Sequence, residues 1–260
     1  MSQIRIAVDA DNMLGRQFSA LEREQLPFAV MQACNATAFE IREVWKRTAP
    51  RVFDRPTPMT INAALYRKAT KGRLFAEIFL RDEAFKGTPP AKYLQPEVEG
   101  GTRRKKRMEL LLQAKGMMPA GTFAVPGKRA PLDQFGNVPS SQIRQILSQL
   151  RAAGEQGYVS NETNERRTKR QRREARKFGR SYEYIVLTKR RGRLLPGLYE
   201  RSNDRSRAIR SIFIFTKQAN YSPRYDIFGL AQRTWDKLMP FYFNRELEKA
   251  LESAVRGAGV

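Results

Sequence analysis

Positive charge is crowded into the middle of this chain, and that constrains its folding more than any other feature. Residues 100–224 hold 29 basic and 9 acidic side chains, residues 1–99 hold 15 and 12, and residues 225–260 hold five of each. The middle therefore supplies +20 of a formal net charge of +23. A fold built around such a segment must tolerate strong self-repulsion or meet an anionic partner. The densest runs are Arg103, Arg104, Lys105, Lys106 and Arg107; then Arg166, Arg167, Lys169, Arg170, Arg172, Arg173, Arg176, Lys177 and Arg180; then Lys189 to Arg193. One reading is a basic surface facing nucleic acid or an acidic protein ring. The other is a solvated, partly disordered insertion whose arginines keep the chain soluble. Residues 161–180 are nearly free of apolar side chains, Ala175 and Phe178 aside. A helix there has little to pack against, so order is expected from a partner, with easy tryptic nicking between Arg166 and Arg180 in the free protein.

The rest of the composition supports a folded core. A chain of 260 residues with 41% hydrophobic and 10% aromatic side chains is too apolar for wholesale disorder. Histidine is absent and Cys34 is the single cysteine. No intrachain disulfide, Cys/His zinc site or Ser-His-Asp triad can be assembled from these residues. No secretory h-region and no run of eighteen uncharged apolar residues is present. The expectation is a chain folded in a reducing cytosol without a membrane span.

Periodicity sketches an α+β fold, with long N- and C-terminal helices packed on an antiparallel β-sheet and a basic loop/helix excursion in the middle. Residues 25–48 read as an amphipathic helix stopped by Pro50, with Cys34 packed inside it. Residues 52–60 contain Pro56 and Pro58 and read as an extended connector in which no helix is expected. Residues 61–69 and 73–81 form a strand pair turning at Thr70-Lys71-Gly72, and 82–100 read as a loop. Helices are expected over 102–115, with the basic cluster in its first turn, and from Ser140 or Ser141 to Ala153. A short strand is expected at 122–125, and three strands at 182–188, 197–201 and 209–216 form a meander. Near the end, Pro240 either kinks one long helix or separates two. The domain reading is a core of 1–99 with 181–260, and an insertion of 100–180.

Catalytic signals are weak. Asp9 and Asp11 follow a strand-like Ile4, Ile6, Val8 alternation at a spacing used in some metal-dependent phosphoryl-transfer enzymes, but further carboxylates have no visible source nearby. A terminal strand and turn with ordinary surface acids is the simpler reading. Glu97, Glu99 and Glu109 are explained by salt bridging with Arg103 to Arg107. Neither a GxxxxGK[ST] phosphate loop nor a helix-turn-helix frame is present. The expectation is a non-enzymatic chain with no cofactor.

Four segments carry a family resemblance: Asn35 to Lys46, Val52 to Thr60, Lys86 to Leu94 and Glu99 to Arg107. Together they resemble tailed-phage and prophage minor tail proteins of the tail-completion type, often called minor tail protein Z, and more broadly the neck proteins of phage head–tail junctions. The similarity lies chiefly within residues 28–157. It implies a virion structural protein, a tail-completion or head–tail connector component, forming a homo-oligomeric ring of six or twelve copies around a DNA channel. Implied neighbours are portal, adaptor, tail-terminator or tail-tube proteins and the genomic DNA in the channel. The implied location is the virion, at the head–tail junction or proximal tail, after synthesis in the bacterial host cytoplasm. The residues carried over as structurally important are the connector Arg55, Pro56, Thr57, Pro58 and Thr60, and Gly100 to Arg107. Two alternatives stand beside this: a stand-alone nucleic-acid-binding protein, and a metal-dependent hydrolase or nuclease using Asp9 and Asp11.

Overall fold

The computed structural model describes residues 3–7, 19–85, 87–153, 161–179 and 181–257. Asp9, Asp11 and Arg180 lie outside them. In chain order the elements begin with β1 (Gln3–Ala7), α1 (Ala20–Val52), α2 (Pro58–Ile61), β2 (Ala64–Arg67), β3 (Phe75–Leu80), α3 (Pro90–Glu99) and β4 (Gly101–Thr102). They continue with α4 (Arg107–Ala114), β5 (Phe123–Pro126), α5 (Ser140–Gln149), α6 (Asn164–Phe178) and β6 (Tyr182–Leu187). The last are β7 (Gly197–Ser202), β8 (Ile209–Thr216), β9 (Asn220–Tyr221) and α7 (Ile227–Gly257). The fold is α+β with antiparallel sheets, and it divides into two compact units, Met1–Gly101 with Ser222–Val260 and Thr102–Tyr221.

The first unit is the helical support. Ser19 caps α1 in a capping box with Glu22, and α1 packs against α7 over a core that includes Trp45, Ile41, Ile78, Met239, Phe243 and Leu247. The sheet has the order β1-β3-β2, antiparallel throughout, so the hairpin at Thr70–Arg73 places β2 on one side of β3 and the first strand on the other. Helix α1 runs past Pro50 to Val52, because a proline in the last turn forfeits one backbone bond while Phe53 N–H still closes the turn on Ala49. Pro240 likewise sits inside a single helix, α7. The extended connector over 52–60 and the loop over 82–100 both contain helices, contrary to expectation and for a shared reason. Pro58 and Pro90 occupy first-turn positions, where the fixed φ suits a helix and the missing N–H has no intrahelical partner to lose.

The second unit, Thr102–Tyr221, is a compact body rather than an excursion. It has its own core of Leu112, Ile146, Leu198, Ile212 and Phe213 and a four-stranded sheet in the order β5-β8-β7-β6. The expected boundary at 180/181 fails because β5 pairs with β8, tying residues 123–126 to the meander that follows α6. Helix α5 ends at Gln149 and has Pro139 at its N-cap with no side-chain cap, so neither Ser140 nor Ser141 serves as expected. Acidic and basic side chains face each other across this sheet, Glu183 opposite Arg201 and Glu200 opposite Arg210. The unit holds 28 basic and 9 acidic residues, net +19, which leaves +4 for the first unit.

Candidate nucleic-acid interface

The two main basic runs have different fates. The first lies mostly ahead of α4 as extended chain, not within its first turn, so the expected conflict with the helix macrodipole largely disappears. At its centre is Glu109, with no exposed surface. Its carboxylate accepts from the Arg103 guanidinium at 2.9 and 2.5 Å, from Lys106 N–H at 2.6 Å and from Ala124 N–H at 2.7 Å. Burial opposes ionisation of this carboxyl. The Arg103 bond and the two backbone donors outweigh it and hold the group below the ordinary glutamate range. Arg103 also donates to Ala124 O, and both Arg103 and Lys105 lie over the Phe123 ring at 4.9 and 4.4 Å. Lys105 Nζ donates to Thr122 O at 2.6 Å. Arg103 and Lys105 thus hold the α4–β5 corner together, while Arg104, Lys106 and Arg107 are exposed.

The second run is a helix, contrary to the expected disorder. Thr163 caps α6 by accepting from Arg166 N–H, Glu165 stands in the first turn, Arg176 and Lys177 stand in the last, and Gly179 closes the end at φ 70°. No residue of α6 is fully buried, so apolar packing does not hold it. Arg170 does. Its side chain, 9% exposed, donates to Glu162 at 2.8 Å, to Glu174 at 3.0 Å and to Tyr182 O at 2.8 Å, and Tyr182 N–H returns a bond to Glu174. Arg167 donates to Glu183 at 2.7 Å, and Glu183 also pairs with Arg201. These anchors share one side of the helix, since positions three and four apart are neighbours.

The helix carries eight basic and two acidic residues, of which Arg167, Arg170 and Glu174 serve as anchors. Lys169, Arg172, Arg173 and Arg176 are exposed and have no ion-pair partner among the described residues. Arg166 and Lys177 flank them and are also exposed. The result, from Arg166 to Lys177, is a row of cations about three turns long on an ordered helix. Such a row suits a repeating anion, because the helix fixes the spacing of the cations before binding. Lys189, Arg190, Arg191 and Arg193 form a further exposed group at the β6–β7 connection of the same unit, where Arg191 and Leu194 bridge around Gly192.

The connector residues belong to the first unit. Arg55 adopts a left-handed φ of 48° and pairs with Asp54 at 3.0 Å. Pro56 leads into Thr57, which caps α2 by accepting from Thr60 N–H at 3.2 Å. Pro58 starts the helix, and the Thr60 hydroxyl bonds with Thr57 at 3.0 Å and with Tyr93 of α3 at 3.0 Å. Glu97 pairs with Arg224 rather than with the Arg103–Arg107 run, and Glu99 accepts from Gln95 at 2.9 Å.

Among the described residues no group of three or more metal-ligating side chains occurs, and no helix is long and apolar enough to cross a membrane. The anchors Glu162 and Glu174, on which α6 depends, were not singled out by sequence reasoning. Their signal was present as two acids at i−8 and i+4 from one arginine inside a basic run. Comparison with protein families, with characterised proteins and with solved structures finds no match for this chain.

Proposed function

We propose that this chain is a non-enzymatic structural component of a tailed virion, a tail-completion or head–tail connector protein that assembles as a homo-oligomeric ring around a DNA channel. The observation that carries the reading is the row Lys169, Arg172, Arg173 and Arg176 on an ordered helix, in a unit of net charge +19 where the other unit carries only +4. The resemblance of residues 28–157 to tail-completion proteins supplies the setting, and the cationic row supplies a physical reason for a DNA-lined position. In a ring the charge is multiplied by the copy number, which makes each channel a strong counterion for a duplex passing through it. Partners under this reading are further copies of the chain, adjoining portal, adaptor or tail proteins, and the genome.

Electron microscopy and mass measurement of the purified chain, alone and with neighbouring virion proteins, test the reading. Closed rings of uniform copy number are expected. A strictly monomeric chain that joins no virion assembly overturns it. The same α6 row also favours a stand-alone nucleic-acid-binding protein. That reading predicts that the isolated monomer binds nucleic acid as tightly as any assembly does, whereas a connector gains most of its affinity on closing the ring.

A further inference from the structure

The four-stranded sheet of the second unit, β5-β8-β7-β6, has β5 and β6 as its outer strands. Along such a strand, residues bonded to the neighbour alternate with residues whose N–H and C=O point away from it. On β5, Gly127 N–H bonds to Ile212 O, so Val125 also faces β8 while Ala124 and Pro126 turn their backbone outward. Ala124 N–H donates to Glu109 at 2.7 Å, Ala124 O accepts from Arg103 at 3.2 Å, and Pro126 has no N–H to offer. No outward donor of β5 is left open. On β6, Asn203 N–H bonds to Ser181 O, so Glu183, Ile185 and Leu187 face β7 while Tyr182, Tyr184 and Val186 turn their backbone outward. Tyr182 is met by the device that meets Ala124: its N–H donates to Glu174 at 3.1 Å and its O accepts from Arg170 at 2.8 Å. The device stops there. The outward N–H and C=O groups of Tyr184 and Val186 have no partner among the described residues. Past them the chain leads into Lys189, Arg190, Arg191 and Arg193, all exposed and without an ion-pair partner among the described residues, and no acid occurs from Ile185 to Tyr199.

We infer that the open edge of β6 at Tyr184 and Val186 is a docking site for an extended acidic segment of a partner protein, which adds to this sheet as a fifth strand. Outward N–H and C=O groups on an outer strand are a template for another strand, whose backbone bonds supply affinity while its side chains supply selectivity. The Arg170–Glu174 pair fixes where the added strand stops, because Tyr182 has its N–H and C=O already bonded. The segment therefore extends the other way, toward the β6–β7 connection, where acidic side chains meet Lys189, Arg190, Arg191 and Arg193. Charge disfavours a second copy as the occupant, since β6 laid against β6 brings together two units of net charge +19. Nucleic acid lacks the alternating backbone donors and acceptors that such an edge pairs with. This docking is independent of the cationic row of α6 and of the ring.

The test is residue-resolved amide hydrogen exchange of the intact chain, free and with an acetylated, amidated peptide of about eight residues alternating glutamate and valine. In the free chain the Tyr184 and Val186 amides should exchange rapidly while Tyr182, Ile185 and Leu187 are protected. At saturation the peptide should slow exchange at Tyr184 and Val186 by at least about tenfold. The same peptide with every amide N-methylated keeps its charge and loses its donors, and should bind about tenfold more weakly. Val186→Pro removes one outward N–H without touching the ladder to β7 and should weaken the unmodified peptide by about as much. Combined Lys169→Ser and Arg172→Ser should leave that binding unchanged. Absence of peptide binding, or equal binding of the N-methylated peptide, overturns the inference. Protection of Tyr184 and Val186 in the free chain overturns it as well, and protection that grows with chain concentration assigns the edge to a second copy instead.

Discussion

Arg170 donates to Glu174 one turn further along α6, at 3.0 Å, and both side chains are largely withdrawn from solvent. With Glu162 on its other side, Arg170 turns a sequence of mutually repelling cations into a docked helix. Removing the arginine strands two buried carboxylates, a change worth about 3 kcal/mol in comparable buried pairs. Arg170→Ala is expected to raise the rate of tryptic cleavage between Arg166 and Lys177 on the order of a hundredfold, through local opening of α6. Timed proteolysis with mass detection checks this. An unchanged cleavage rate means that other contacts hold the helix.

Glu109 plays the corresponding part at the start of α4. Its folded-state titration lies below the ordinary glutamate value of 4.5, so its ionisation stabilises the fold above that value. The contribution is lost progressively as pH falls from about 5 through the depressed folded value. Glu109→Gln removes the charge facing Arg103 and should destabilise the second unit by about 3 kcal/mol near neutral pH. It should also flatten the dependence of stability on pH in the acid range. Urea unfolding at several pH values reads both effects.

Cys34 is fully buried in the α1 core, its thiol directed to Leu74 O, and burial pushes its pKa up to about 12. At pH 8 a thiol-specific reagent should modify native protein only as fast as the first unit opens, with the rate rising with denaturant. Rapid labelling of native protein would contradict that packing.

Gly197 begins β7 so close to β8 that an added Cβ would collide with the Phe213 carbonyl oxygen and approach Ile214 Cα to 3.2 Å. The obstacle is backbone paired in the sheet, which cannot swing aside as a flexible side chain can. Gly197→Ala should therefore cost about 1–3 kcal/mol, read as a lowered melting temperature with the first unit unaffected.

Much of the fold was legible in the sequence because its signals are periodic. The apolar spacing through Trp45 and through Leu247 marked the two long helices, and alternation around Ile78 and Ile212 marked the strands. The short helices were missed where proline was read as a breaker. Pro58 and Pro90 are helix starters, distinguished by the Thr57 cap and by the run of helix formers after Pro90. Helix α6 was missed because it was sought through an apolar stripe. Its evidence lay in the Thr163 cap, the Gly179 stop and the spacing of Glu162, Arg170 and Glu174. The division of roles among the arginines was not legible at all. Nothing local to Arg103 shows that it is spent on Glu109, or local to Arg172 that it is not spent, because the pairing depends on how distant segments meet.

The central claim is that the exposed row of α6 is a preformed polyanion contact, and the salt dependence of duplex DNA binding tests it most directly. The logarithm of the association constant should fall steeply with the logarithm of salt concentration. Replacing Lys169, Arg172, Arg173 and Arg176 together with serine should reduce that slope by about 3–4 while the fold is retained. A variant that folds normally and shows the wild-type slope would contradict the account.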